Sequence, residues 1–132
     1  MPSLTLGVNW ICPTPDYPTS GRVIATGGSA SFQILVSDDQ GGTWSTPSGP
    51  AFASGSTPSV TQVAFSPDYA IDQLVFAASN RGMMQSWDGG LSWQLCPIIS
   101  GAPLSASSVA VSPSLASDGK VFAVSGADNG FY

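Results

Sequence analysis

Histidine and glutamate do not occur in this chain of 132 residues, and lysine and arginine together number three. Without histidine there is no imidazole base and no His-ligated metal, and the Ser-His-Asp and Cys-His arrangements of nucleophilic catalysis are excluded. Arg22, Arg81 and Lys120 stand far apart in a chain of net charge −5, so no basic patch is available for a phosphate backbone and nucleic-acid binding is excluded. No apolar run approaches the roughly 20 residues that span a bilayer, and Met1-Pro2-Ser3-Leu4 lacks the charged-then-apolar layout of a secretory signal. A soluble chain with no transmembrane segment is therefore expected. The scarcity of Glu, Lys and Arg also removes the residues that build helical surfaces.

What is present favours turns and strands. All eight acids are Asp, and there are 15 Gly and 11 Pro, residues that interrupt helices and supply turn geometry. The hydrophobic fraction of 42%, with four Trp, three Tyr and six Phe spread along the chain, is enough for a folded core and argues against disorder. The length fits one domain.

Repetition decides the architecture. Three segments align without gaps over twelve positions: Thr14-Pro15-Asp16-Tyr17 through Arg22-Val23-Ile24-Ala25, Ser66-Pro67-Asp68-Tyr69 through Leu74-Val75-Phe76-Ala77, and Ser112-Pro113 through Lys120-Val121-Phe122-Ala123, at spacings of 52 and 46. Between them recurs a second element, Ser37-Asp38-Asp39-Gln40-Gly41-Gly42-Thr43-Trp44 and Ser86-Trp87-Asp88-Gly89-Gly90-Leu91-Ser92-Trp93, 49 residues apart. Two interleaved motifs sharing one period of about 50 residues indicate a repeated supersecondary unit, and that period signals a propeller blade.

Short apolar runs bounded by turn residues predict four strands per unit. The most complete unit gives Val60 to Phe65, Gln73 to Ala78, Met83 to Trp87 and Leu91 to Cys96. The first gives Val8 to Cys12, Arg22 to Thr26, Phe32 to Ser37 and Thr43 to Thr46. The third gives Ser107 to Val111 and Lys120 to Ser125 and begins another strand at Phe131, with Tyr132 aligning to Met84. The expected fold is all-β: four-stranded antiparallel meanders in an incomplete propeller, one partial domain over 1–132 with blades near 8–48 and 60–97 and an incomplete blade near 107–132. Roughly two and two-thirds blades cannot close a ring that typically takes 4 to 8. The edge of Lys120 to Ser125 is expected to be open, with Val109, Val111, Val121 and Phe122 on a bare apolar face, so a partner or self-association should complete the structure.

The pattern Ser-x-Asp-x-Gly-x-(Thr/Ser)-Trp resembles the Asp box, or BNR repeat, and both copies match it at every defined position. The chain thus resembles part of an Asp-box β-propeller, the superfamily of sialidases, sortilin-type receptors, xyloglucan hydrolases, a photosystem assembly factor and several lectins. The resemblance covers nearly the whole chain and speaks for fold more than function, since unrelated activities share this scaffold.

Physical chemistry gives the motif a structural role: Ser37, Asp39, Gly41, Thr43 and Trp44, and Ser86, Asp88, Gly90, Ser92 and Trp93, form hairpin turns. The glycines accept positive φ, the Asp carboxylates accept hydrogen bonds from turn amides and hydroxyls, and the Trp rings staple each turn to a neighbouring sheet. One carboxylate per turn is too few for calcium, which takes 6 to 8 oxygens, so neither metal nor cofactor is expected. Cys12, aligned with Ala64 and Ala110 on an innermost strand, and Cys96, on an outermost strand one blade later, are expected as free thiols. Trp10 and Trp87 are expected to be buried, although either could offer a face to a sugar.

In a meander the connections between the first and second and the third and fourth strands share one end of the blade. That end carries the repeated turns. The opposite end carries variable loops, Gly27 to Ser31, Asn80 to Gly82 and Gly126 to Gly130, with the links Pro47 to Ser59 and Pro97 to Ala106. Loop variety on a rigid scaffold is where binding evolves, which makes Asn80, Arg81, Asp128 and Asn129 the candidate ligand or partner residues. Catalysis is not expected. Sialidases use three arginines, a Tyr paired with a Glu, and an Asp acid/base, a set that two arginines and no glutamate cannot assemble. Xyloglucan hydrolases work with paired Asp carboxylates, but Asp16, Asp39, Asp68 and Asp88 fall in structural turns here, leaving Asp128. Two non-catalytic classes remain, a scaffold or protein-interaction module and a carbohydrate-binding lectin, beside the reading as a fragment of a sialidase- or xyloglucanase-type hydrolase. Fucose-binding lectins of this type use an Arg, a Glu and a Trp per site, so the missing Glu favours the interaction module. Few lysines and abundant Ser, Thr and Gly suggest an extracellular or cell-surface location.

Overall fold

The computed structural model describes residues 8–29, 32–52, 58–96 and 106–124. These form three antiparallel sheets in chain order. The first contains β1 (Val8–Pro13), β2 (Val23–Ser29) and β3 (Phe32–Ser37); the second, β4 (Val60–Phe65), β5 (Val75–Ser79), β6 (Gly82–Ser86) and β7 (Gln94–Leu95); the third, β8 (Ser108–Val111) and β9 (Val121–Val124). Each sheet is an up-and-down meander in which sequence neighbours pair. The third strand expected at Phe131 and the loop at Gly126 to Gly130 lie outside the described residues.

Two local differences from the expected strands have identifiable causes. Between the first two strands of every unit the chain makes one helical turn, α1 (Tyr17–Ser20), α2 (Tyr69–Asp72) and α3 (Leu115–Asp118), so β2, β5 and β9 begin later than the apolar run suggested. Each turn ends on a left-handed residue, Gly21, Gln73 or Gly119, whose amide donates to a carbonyl four residues back. The outermost strands are also cut short. Thr43 to Thr46 reduces to one bridge between Ser45 and Val36, and Leu91 to Cys96 to the two residues of β7. Pro47 and Pro97 follow these strands in the sequence, and proline cannot donate to a ladder.

The sheets stack through alternating faces. On β5, Val75 and Ala77 point to the first sheet, while Leu74, just before it, and Phe76 and Ala78 point to the third. All of these are buried, which is why β5 reads as a continuous apolar run. The junction between the first and second sheets holds Ile24, Ile34, Val36, Val63, Tyr69, Met84 and Trp93, with Trp10 packed against it. The junction between the second and third holds Phe76, Val109 and Ala106, joined by Ala64, Met83, Val111, Val121 and Ala123. Fully burying one such side chain contributes about 1.5 to 3 kcal/mol, so these junctions hold the sheets together.

This arrangement corrects the expected bare face. Val109, Val111 and Val121 are packed against the second sheet, and only Phe122, on the opposite face of β9, is exposed, at 53%. The register pairs Ala110 with Phe122 and Val111 with Val121, so the two sets occupy opposite faces of one sheet. Ile24, Phe76 and Phe122 are equivalent in the repeat; Phe76 and Phe122 face away from the preceding sheet, and Ile24 and Phe76 are covered by the sheet that follows.

Candidate functional site

The repeated turns gather at one end of each sheet, and a recurring hydrogen bond joins them. Gln40 N donates to Gly21 O at 3.0 Å, and at the equivalent place in the second sheet Gly89 N donates to Gln73 O at 2.9 Å. The carbonyl exposed by the left-handed residue thus becomes the seat for the Ser-x-Asp-x-Gly turn. A second repeated device closes the helical turns. Ser66 Oγ donates to Asp72 Oδ2 and Ser112 Oγ to Asp118 Oδ2, each at 2.6 Å; in the first sheet, where Ser20 takes that position, Thr14 and Ser20 hydroxyls both donate to Asp16.

Inside the turns the carboxylates are saturated by local donors. Asp39 accepts from Ser37 Oγ (2.8 Å), Thr43 N (2.7 Å) and Thr43 Oγ1 (2.7 Å). Asp88 accepts from Ser86 Oγ (2.7 Å), Leu91 N (3.1 Å), Ser92 N (2.9 Å) and Ser92 Oγ. The amide and hydroxyl of Thr43, with the Ser37 hydroxyl, hold the Asp39 pKa down to about 2. At Asp88 partial burial opposes ionisation, but the bonds from Ser92, Ser86 and Leu91 outweigh it and the pKa is lowered. These groups are poor general acids and have few lone pairs left for a cation. Among the described residues no three Asp or Cys side chains gather where a metal could be held.

The two turns differ in what lies beneath them. Gly90 sits directly on the first sheet: a Cβ there would come within 2.9 Å of Ile24 Cδ1 and 3.5 Å of Val36 Cγ2, and its φ of +100° is a glycine conformation. Trp93 is 1% exposed, and its indole N–H donates to Gly90 O at 2.9 Å. Trp44 is only half-buried, so the expected staple forms at Trp93 and not at Trp44. A turn packs on the sheet before its own, and the first sheet has no predecessor among the described residues.

Sequence reasoning overlooked the polar cluster that locks the first junction. Arg22, just after the left-handed Gly21, pairs through Nε with Asp38, donates through Nη1 to Asp88 O at 3.1 Å and reaches Gln73 Oε1 at 3.5 Å. Gln73 occupies a left-handed position that is glycine in the other two repeats, with φ of +55°. Its Nε2 donates to Tyr69 O (3.0 Å) and to Asp16 (3.5 Å), bonds that offset the backbone strain. The signal was present as a non-glycine residue in an alignment column of glycines.

At the opposite end, Asn80 and Arg81 are engaged with the link between the first two sheets. Asn80 is exposed, but its side-chain oxygen accepts from Ser59 N at 2.9 Å. Arg81 is half-buried; its amide donates to Ser79 Oγ (3.2 Å) and its Nη1 to Ala51 O (3.3 Å). Asp128 and Asn129 lie outside the described residues. Cys12 and Cys96 are free thiols; both are only partly buried, and burial raises both pKa values, that of Cys96 to about 11.

One expectation about the tryptophans is corrected. Trp10 is half-buried against the first junction, but Trp87 is 60% exposed. It lines a shallow open cleft with Pro50, Gln85, Ser92, Trp93 and Gln94. Gln85 and Gln94 are register partners across β6 and β7, and Trp87 follows Gln85 on the same face. The cleft offers an indole face, two carboxamides and the Ser92 hydroxyl, which donates to the Asp88 carboxylate.

No family model matches the chain, and no curated protein matches it. Among solved structures it is similar to an ancestral GH74 enzyme, at 23% identity and a TM-score of 0.68, over 89% of this chain and 16% of that one. The likeness shows the fold, an all-β incomplete propeller. The chain spans 16% of the length of that enzyme.

Proposed function

We propose that the chain is a non-catalytic Asp-box propeller module, a scaffold or protein-interaction unit within a larger or oligomeric assembly. The observation that carries this reading is the exposure of Phe122, whose equivalents Ile24 and Phe76 are buried in the sheet junctions. A repeat that cannot bury its own faces depends on a neighbour to cover them. The saturated carboxylates of Asp39 and Asp88 support the non-catalytic part, because their turn bonds leave them scaffold roles. Composition and the Asp-box resemblance support a location outside the cytoplasm. Light scattering coupled to size exclusion at micromolar concentration tests the module: assemblies or partner-dependent folding are expected, and a compact, cooperatively melting monomer would refute it.

The likeness to an ancestral GH74 enzyme favours a second reading, a portion of a glycoside hydrolase whose acid and base come from other blades. Under both readings this chain alone hydrolyses no glycoside. Turnover of xyloglucan, sialyl or fucosyl substrates that is lost on Asp128→Asn would overturn that.

A further inference from the structure

We propose that residues 48–51 form a strap that closes the outer edge of the second sheet against strand addition by a second copy of this chain, with Arg81 as its latch. The sheet order β4-β5-β6-β7 leaves β7 at that edge. An edge strand turns the N–H and C=O of every second residue outward, a template on which another strand can pair. Gln94 is paired with Gln85, and Cys96 N donates to Met83 O, so the residues whose backbone faces outward are Leu91, Trp93 and Leu95. The same edge on a second copy is self-complementary to this one, which makes the chain itself the strand to be kept off.

The strap engages the first two of these residues. Ser48 N donates to Leu91 O at 2.9 Å, Trp93 N to Ser48 O at 2.9 Å and Ala51 N to Trp93 O at 3.1 Å, with Ser48 and Ser92 in a parallel bridge. Gly49 makes the close approach possible: a Cβ there would lie 2.5 Å from Trp93 O and 2.8 Å from Trp93 N, and its φ is +105°. A link that only joined two sheets would need neither that glycine nor three bonds to an edge. The far end is held from across the sheet, where Arg81, in the hairpin between β5 and β6, donates through Nη1 to Ala51 O at 3.3 Å. Ser48 and Pro50 are exposed and only Ala51 is buried, so the edge bonds and the latch carry most of the attachment. Leu95, 44% exposed, lies beyond the strap, and Pro97, two residues on, offers no N–H to a pairing strand.

The test uses the full chain labelled with nitrogen-15, with amide hydrogen exchange followed residue by residue. In Gly49→Ala the Trp93 amide should exchange about tenfold faster, while the Ala77 amide, inside the same sheet, keeps its rate. The variant should also form larger particles than the wild type by light scattering, and adding Leu95→Lys, a charge on the bared edge, should abolish the excess. Unchanged Trp93 exchange would overturn the proposal, as would faster exchange with no added self-association, or an excess that survives Leu95→Lys. If Gly49→Ala speeds Ala77 as well, so that the whole sheet opens, Arg81→Ala decides. It withdraws the guanidinium from the Ala51 carbonyl and must quicken Trp93 and Ala51 exchange but not Ala77, or latch and strap both fall. The wild-type particle mass bears on the module reading alone; the strap is read from the difference between variant and wild type.

Discussion

Asp88→Ala removes the one side chain that organises the second repeated turn. It deletes acceptors for Ser86 Oγ, Leu91 N, Ser92 N and Ser92 Oγ. Leu91 is exposed and its amide can turn to water, but the half-buried Ser92 amide and hydroxyl lose partners that water replaces less well. A net cost of about 1 to 3 kcal/mol follows, well below the sum of the separate bonds because part of the turn rehydrates. The damage extends to the junction, because the turn positions Gly90 and Trp93 on Ile24 and Val36. Asp39→Ala deletes a comparable set of bonds in an exposed turn beside the half-buried Trp44, so it should cost clearly less. Urea unfolding followed by far-ultraviolet circular dichroism separates the two: for Asp88→Ala the midpoint should fall by about 1 M with unchanged slope. Equal costs for the two variants would refute the idea that the sheet beneath the turn sets its importance. Calcium should leave the melting temperature unaltered, and a calcium-dependent rise that vanishes in Asp88→Ala would show the turn to be a cation site instead.

The lowered carboxylates predict a sign for acid sensitivity. Asp39, Asp88, Asp16 and Asp118 ionise more readily folded than unfolded, so their contribution is complete above the ordinary carboxylate pKa and is lost as pH falls. The melting temperature should stay level from neutrality to about pH 5 and fall toward pH 2, with a shallower fall in Asp39→Asn. Gly90→Ala forces a side chain onto Ile24 at positive φ and should cost more than about 1 kcal/mol in the same urea assay. Thr26 Oγ1 is buried without a hydrogen-bond partner among the described residues, so Thr26→Val should be neutral or stabilising by up to about 1 kcal/mol, and a clear loss would reveal a partner for the hydroxyl. The free thiols should react slowly with iodoacetamide at pH 8, Cys96 more slowly than Cys12, as followed by mass spectrometry; rapid alkylation of Cys96 would contradict its raised pKa.

Much of the local structure was legible in the sequence. The period near 50 residues, the antiparallel strand pairs and the turn roles of Asp39 and Asp88 follow from interactions between residues close along the chain. Val60 to Phe65 and Phe32 to Ser37 fall where the apolar runs put them. The helical turns escaped notice because their four residues are too few to show a 3.6-residue period. Other features depend on residues about 50 positions apart that meet only when the sheets stack. Two tryptophans in equivalent motifs, Trp44 and Trp93, differ in burial, and among the described residues only Trp93 has a sheet beneath its turn. Arg22 acquires its role from a turn 66 residues away, at Asp88 O. Trp87, expected inside, is exposed at the edge of the second sheet. The sequence by itself determined the repeating unit, since strand alternation and turn chemistry are local; which copies of each repeated residue are buried was decided by the stacking order of the sheets, a long-range property that no single repeat contains.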